Sequence, residues 1–423
     1  PIVFTTAGSA SVWNQVYFGD HLDLGASILQ HVVLEDGGGS DPTQGQTIQV
    51  SDRALVAAYP TPLIDHVTVR NSNGYGITID AGGDDPRPAQ LTHVIIEGSS
   101  LQPVNANVNA VGGLGRGLIV TGNMTDTIRV FQDRMNFDSH WRDYGVPYEV
   151  TSGFVIRSNY PNDDVVPAVW TLDPGVTVLM HPEAGVTVGS LYGEAQVMAK
   201  GTADAPITFT RRYATGDPWA GFGFSAYSDL DSEFEHVVFL YGGGLQDAQK
   251  AVFHKRGSSQ VRLTDVIIRH SENGAVYNFG GDVWIKDSVL TDNRYGIDIR
   301  ARSTARVRGS DLSGNAEFAL NNSSPGSVCI DAVGNYWGAG GPTDTSATED
   351  ECGSTRTNAG AAAVSDGVAY MPWKTDGDGS YGQIAPETFW VIADGESSTT
   401  ISGGSPLTGP FPPKPNPRRK ENG

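Results

Sequence analysis

Cysteine is scarce in this chain, with two residues in 423, Cys329 and Cys352. A dense disulfide framework is therefore excluded, and one bridge is the most the chain can form. Long apolar runs are absent as well. No stretch reaches the roughly 18 residues that a helical membrane span requires, so no span is expected. Basic residues are in the minority, 28 Lys and Arg against 48 Asp and Glu, giving a formal net charge of −20. That balance argues against nucleic acid or an anionic membrane as partner and suits an extracellular surface that meets divalent cations. No 3.6-residue apolar periodicity interrupts the chain, so crossover helices are not expected. No export leader is visible, but the chain begins at Pro1 in the middle of a sequence unit, so the silence carries no information.

Glycine, in contrast, is abundant, with 53 residues, many of them after Asn or Asp in turn contexts. The strongest signal is a long duplication. Pro1-Ile2-Val3-Phe4-Thr5 is followed by Trp13, Phe18, His31-Val32-Val33-Leu34 and Gly37-Gly38-Gly39. Pro206-Ile207-Thr208-Phe209-Thr210 is followed by Trp219, Phe224, His236-Val237-Val238-Phe239 and Gly242-Gly243-Gly244. The step from 1 to 206 and from 31 to 236 is the same 205 residues. Repetition over this length means a repeat architecture.

A finer period lies inside the second copy. Ile268, Leu290 and Leu312 recur at 22 residues, as do Ser271, Asn293 and Asn315. The apolar segments between them, such as Val266-Ile267-Ile268 and Asp282-Val283-Trp284-Ile285, are short, β-prone and bounded by turn residues. Hairpins would need tight two-residue turns at a spacing of about 8–12. A 22-residue step is better met by a coil whose strands stack in parallel on the turn before, about 4.8 Å apart. The fold class expected is therefore all-β, a single-stranded parallel β-helix (solenoid) of two diverged repeat units with on the order of 15 rungs. Inward columns such as Ile268 would fill the core. The Ser271, Asn293, Asn315 column would sit at a turn, its amides bonding from rung to rung. The expected organisation is a first unit over 1–125, a second over 126–375 and an irregular, Pro-rich tail over 376–423. The stretch Asp126 to Tyr148, with Trp141 and Tyr144, is the least regular. On this coil Cys329 and Cys352, 23 residues apart, fall about one turn from each other, which fits either a disulfide between neighbouring rungs or two buried thiols.

The runs Trp170 to Val178, Gly201 to Thr210 and Trp219 to Phe224, with the closing elements Asn335-Tyr336-Trp337-Gly338, Gly341-Pro342 and Tyr370-Met371-Pro372-Trp373, resemble the bacterial right-handed parallel β-helix repeat proteins of the pectin-lyase-like fold group. The resemblance covers residues 1 to about 375. It implies a right-handed coil and an exported or surface-displayed protein. It does not fix an activity, because that scaffold carries enzymes and adhesins alike.

Candidate site residues follow. His31, His66, His93 and His236 each open a His-Val strand; a ladder of imidazoles could bind metal. The intervals of 35 and 27 residues do not demand adjacent rungs, and a polar residue at strand entry accounts for them. Enzymes of this fold group that cleave acidic polysaccharides cluster carboxylates on one flank, to chelate calcium or to act as an acid/base pair. Here the candidates are Asp80, Asp84 and Asp85; Asp229, Asp231 and Glu233; and above all Asp265 with Asp287, whose 22-residue spacing sets them on adjacent rungs as weak catalytic or Ca2+ candidates. Lys286, Arg269, Arg294 and Arg300 stand near enough to neutralise them. The hydrolase signatures Asn-Thr-Asp, Gly-His-Gly and Arg-Ile-Lys do not occur as a set; only Asp84-Asp85 is present. The glycine triplets lack the Lys-Ser or Lys-Thr of a phosphate loop and read as tight corners. Tyr75 and Tyr295 share an Asn-x-Tyr-Gly-Ile context and are candidates for stacking on sugars, or else pack over corners of the coil.

The function expected is a secreted or cell-surface β-helix with an adhesive, structural or polysaccharide-binding role. The alternative is a polysaccharide lyase or glycoside hydrolase of the same scaffold. No cofactor is required beyond Ca2+, and open strand edges at the coil's ends would permit end-to-end self-association.

Overall fold

The computed structural model describes residues 1–7, 12–18, 27–39, 46–52, 62–81, 90–131 and 134–158. It also describes 166–344 with gaps at 183, 192, 228–229, 245–250, 302 and 324–328. Beyond these come 362–365, 367–370, 373–374, 389–391 and 399–401. Two compact units are present, Pro1–Gly382 and Gln383–Gly423. In the second, Phe389–Val391 pairs antiparallel with Thr399–Ile401.

The first unit is a parallel β-helix. Every strand pair described within it is parallel, and strands stack on their equivalents from the preceding turn to make long sheets. Sheet I runs from Ile2–Phe4 through Ile28–Glu35, Leu63–Arg70 and Ile95–Glu97 to Ile119–Thr121, with Gln90–Thr92 also pairing with Leu63–Arg70. Sheet II begins at Val16–Phe18 and extends over eleven described strands to Val289–Thr291. The parallel bridges Val289↔Asp311, Asp311↔Tyr336 and Tyr336↔Lys374 continue it through three further levels. That extent is close to the rung number the repeat length suggested. Sheet III starts at Arg134–Met135 and sheet IV at Ser139–Trp141.

Sheet composition changes over the stretch that the sequence marks as irregular. Sheet I ends at Ile119–Thr121, sheets III and IV begin at 134 and 139, and sheet II alone runs through. In the first half the coil folds one long strand where the second half uses two. Ile28–Glu35 corresponds across the duplication to Ser232–Glu235 of sheet IV plus Val237–Leu240 of sheet II. The duplication is nonetheless reproduced in register: Ile2↔Val32 and Phe4↔Leu34 in the first copy, Ile207↔Val237 and Phe209↔Phe239 in the second.

The core follows from strand alternation. Inward positions bury completely, among them the 22-residue column of Ile268, Leu290 and Leu312. In the middle of the coil the filling is aromatic. Trp141, Trp170, Phe209, Trp219, Phe222, Phe239 and Phe253 are all buried, and Trp170 meets Trp141 edge-on at 4.9 Å while Phe209 stacks on Phe239 at 5.2 Å. Polar columns close the turns. Ser271 N–H donates to Asn293 Oδ1 at 2.9 Å, Asn293 N–H to Asn315 Oδ1 at 3.1 Å, and the Asn293 and Asn315 amides donate to the carbonyls of Ile268 and Leu290. A second such column, Ser288, Ser310 and Asn335, is built the same way. The glycine triplets are corners: Gly243 has φ +80°, and a Cβ there would collide with Ser271 Oγ.

Candidate functional site

Sheet I sets three histidines side by side. Its registers pair Gln30 with Asp65 and Asp65 with Thr92, and place Val32 opposite Val67 and Thr68 opposite Ile95. His31, His66 and His93 therefore share one row, each on the turn after the last. Their rings touch: His31 to His66 at 4.9 Å, and His66 to His93 at 4.4 Å and 27°, a stacked arrangement. The sequence intervals of 35 and 27 residues did not require this adjacency, but the coil provides it.

All three histidines hold left-handed backbone, with φ of 55°, 52° and 52°. They form one corner column, which continues to Gly117, whose own left-handed backbone packs on His93. The column's equivalents in the second half are His236, Asp265 and Asp287, at 49°, 51° and 49°, followed by Gly309 against Asp287. Left-handed geometry costs a non-glycine residue roughly 1–2 kcal/mol, so six side chains are kept where glycine would be cheaper.

Asp65 is the hub of the first-half cluster. His66 Nδ1 lies 2.9 Å from its Oδ2 and His93 Nδ1 3.2 Å from its Oδ1. Thr92 Oγ1 donates to Oδ1 at 2.7 Å and Gln30 Nε2 to Oδ2 at 2.8 Å. These partners, His66 foremost, then Thr92, Gln30 and His93, hold the carboxyl far below the usual carboxylate range. The imidazoles stand in solvent, 49% and 58% exposed, while Asp65 is 14% exposed beneath them. Among the described residues, no other set of three His, Cys, Asp or Glu comes together in this way.

Asp265 and Asp287 are exposed on adjacent turns of the corner column, as their spacing suggested. Lys286 is their counter-ion. Its ammonium sits 2.7 Å from Asp287 Oδ2, and its pKa is raised by that bond, with the charges of Asp287 and Asp265 adding to the effect. Glu233 is held by Lys200 at 2.6 Å and Arg262 at 3.4 Å. Asp231 accepts the Gln260 N–H. Asp84, Asp85 and Asp229 lie outside the described residues, as does the side chain of Asp80. Tyr75 and Tyr295, alike in sequence, open strands of different sheets, II and III, because sheet composition changes between them. Tyr75 is half-buried, with the Arg129 guanidinium 6.0 Å from its ring centre. Tyr295 lies over Gly274, and burial pushes its phenol up to about 12. Cys329 is half-buried before Ile330–Asp331, while Cys352 lies outside the described residues, and the expected bridge with it.

Two further assemblies were not among the sequence candidates, although Arg262, Trp284 and Arg306 of the second recur at the same 22-residue step as the Ile268 column. On the outer side of sheet II, Glu149 is buried, its side chain 6% exposed. It is gripped by His181 Nε2 at 2.8 Å and Thr127 Oγ1 at 3.0 Å. Arg212 Nε is also 3.0 Å away, close enough for an ion pair but out of line for a hydrogen bond. Burial raises the Glu149 pKa, and His181, Arg212 and Thr127 together overcome it, leaving a net lowering. On sheet IV, Glu233, Arg262, Trp284, Arg306 and Asp331 align on successive turns. They alternate with the buried Phe234, Leu263, Ile285 and Val307, and so face outward. The Trp284 ring lies between two guanidiniums, Arg262 at 5.2 Å and Arg306 at 5.3 Å.

Comparison with protein-family models, with curated proteins and with solved structures gave no match.

Proposed function

We propose that the chain is an extracellular or surface-displayed, non-catalytic β-helix of the bacterial pectin-lyase-like kind, and that it binds polysaccharide along the outer face of sheet IV. The observation that carries this reading is the outward row Glu233, Arg262, Trp284, Arg306, Asp331, one residue per turn. Such a row offers an extended glycan a regular series of contacts about 4.8 Å apart. The two arginines hold the indole upright, so that its edge and the guanidinium donors meet hydroxyl and carboxylate groups together. Ordering the side chains before the ligand arrives lowers the entropic cost of binding.

Affinity electrophoresis of the full chain in gels of neutral and uronic-acid polysaccharides tests the reading. Retardation by at least one polysaccharide, abolished by Trp284→Ala without loss of fold, is the expected result. Failure to bind any polymer of the panel would refute it. Release of reducing ends or unsaturated uronates, lost on Asp265→Ala or Asp287→Ala, would replace it with the lyase or hydrolase alternative.

A further inference from the structure

We propose that Asp65, His66 and His93 bind one divalent transition-metal ion, of the zinc, copper or nickel class, at the corner of sheet I. Four observations converge on this. One carboxylate and two imidazoles, contributed by two successive turns, bring a ligand atom each to within 4.8 Å of one another. His66 Nδ1 lies 2.9 Å from Asp65 Oδ2 and His93 Nδ1 3.2 Å from Asp65 Oδ1, so each imidazole faces one oxygen of the carboxylate at a separation near the roughly 3.3 Å between donor atoms around a tetrahedral zinc with bonds of about 2.0–2.1 Å.

The donor set is chemically selective. Two imidazoles and one carboxylate suit zinc, copper and nickel, whereas calcium requires six or more oxygen ligands. The surroundings are built to orient the ligands. Gln30 and Thr92 each donate to a different oxygen of Asp65, which fixes the carboxylate plane as outer partners do around metal sites. The site is also open, since the histidines are about half exposed and a fourth position can hold water. On metal binding, each imidazole offers the Nδ1 lone pair and keeps its single ring proton on Nε2, so no oxidant or further reactant is involved. His31, its ring tilted against that of His66 at 4.9 Å, lines the same row.

The second half of the coil is an internal contrast. Its equivalent column pairs one imidazole, His236, with Asp265 and Asp287, and there Lys286 already supplies the positive charge. Metal binding is thus assigned to the first-half column alone.

The test uses the full chain freed of metal by chelator and dialysed against zinc, copper, nickel or calcium salts, with bound metal measured by mass spectrometry. One equivalent of zinc, copper or nickel per chain is expected, with no retention of calcium. His66→Asn and His93→Asn should each weaken binding about tenfold or more. Asparagine accepts left-handed backbone, as Asn71 does at φ 51°, so these variants preserve the corner. His236→Asn should bind as the parent does. A second readout is independent of substitution: the copper-loaded protein should show electron-spin coupling to two imidazole nitrogens. Absence of bound metal, retention of a full equivalent by the folded His66→Asn/His93→Asn double variant, or copper without two-nitrogen coupling would each overturn the proposal. Glycan binding by Trp284 is read in a separate assay, so either idea can fail without the other.

Discussion

The indole Nε1 of Trp219 donates to the carbonyl of Leu240 at 2.9 Å. The first copy repeats the bond, Trp13 Nε1 to the Glu35 carbonyl at 2.7 Å, with the donor 206 and the acceptor 205 residues earlier. Both tryptophans also clamp their glycine triplets through the backbone, Gly244 N–H to the Trp219 carbonyl and Gly39 N–H to the Trp13 carbonyl. The two sites differ in depth: Trp219 is fully buried and Trp13 only half-buried. Trp219→Ala is expected to cost about 3–5 kcal/mol, the range for emptying a large buried site. Trp13→Ala should cost well under that. Denaturant unfolding of the two variants checks the order; equal losses would contradict the packing difference.

The asparagine ladder makes a second prediction. Asn293 accepts from Ser271 N–H and donates to the Ile268 carbonyl, both buried. Asn293→Ala orphans both groups at once, and each unsatisfied buried group costs about 1–3 kcal/mol. A loss of about 2–6 kcal/mol is expected on those grounds. Native-state hydrogen exchange should show faster exchange at the Ser271 amide. Unchanged exchange there would mean that the ladder does not protect the turn.

The difference between these ladders and the histidine row shows what the sequence made legible. The columns of Ile268 and Ser271 could be read because their turns have equal length, so equal spacing means equal position. The duplication likewise anticipated paired registers at Ile2 and Ile207. His31, His66 and His93 could not be placed so, since 35 and 27 residues separate them and unequal spacing gives no position on the coil. Glu149 was invisible for a related reason. Its partners come from positions 127, 181 and 212, and only the stacking of turns unites them. Tyr75 and Tyr295 share a local motif, yet they open strands of different sheets. The change of sheets between residues 121 and 139 lies between them.

Glu149 gives an acid-side prediction. Its folded pKa lies below the ordinary 4.5, so the unfolded chain binds its proton more readily. The stabilisation is therefore complete above pH 4.5 and is lost as pH falls through the folded value. Glu149→Gln removes it. Near pH 7 the variant should be less stable by about 1.5–3 kcal/mol, the scale for losing a hydrogen bond to a charged group. The gap should close below pH 4.5. Urea unfolding of both proteins from pH 3.5 to 7 measures it; a gap that widens toward low pH would refute the assignment.

Lys255 gives the alkaline counterpart. It is fully buried, and its ammonium donates to the carbonyls of Gly257 and Gly280, both at 2.5 Å. Burial pulls its pKa from 10.5 down to about 8, against the opposing charges of Asp282 and Asp231. A lysine lowered on folding binds fewer protons in the native chain than in the unfolded one. Between about pH 8 and 10.5 this group therefore makes stability rise with pH, with a slope of at most about 1.4 kcal/mol per pH unit. Titrating tyrosines and other lysines act over the same range, so the quantity to compare is the slope of parent against Lys255→Met. The variant should lack the rise that begins near pH 8, whatever its stability at neutral pH. Equal slopes in the two proteins would show that the Lys255 ammonium is no harder to keep charged in the fold than in water, and that the two carbonyl bonds fully compensate its burial.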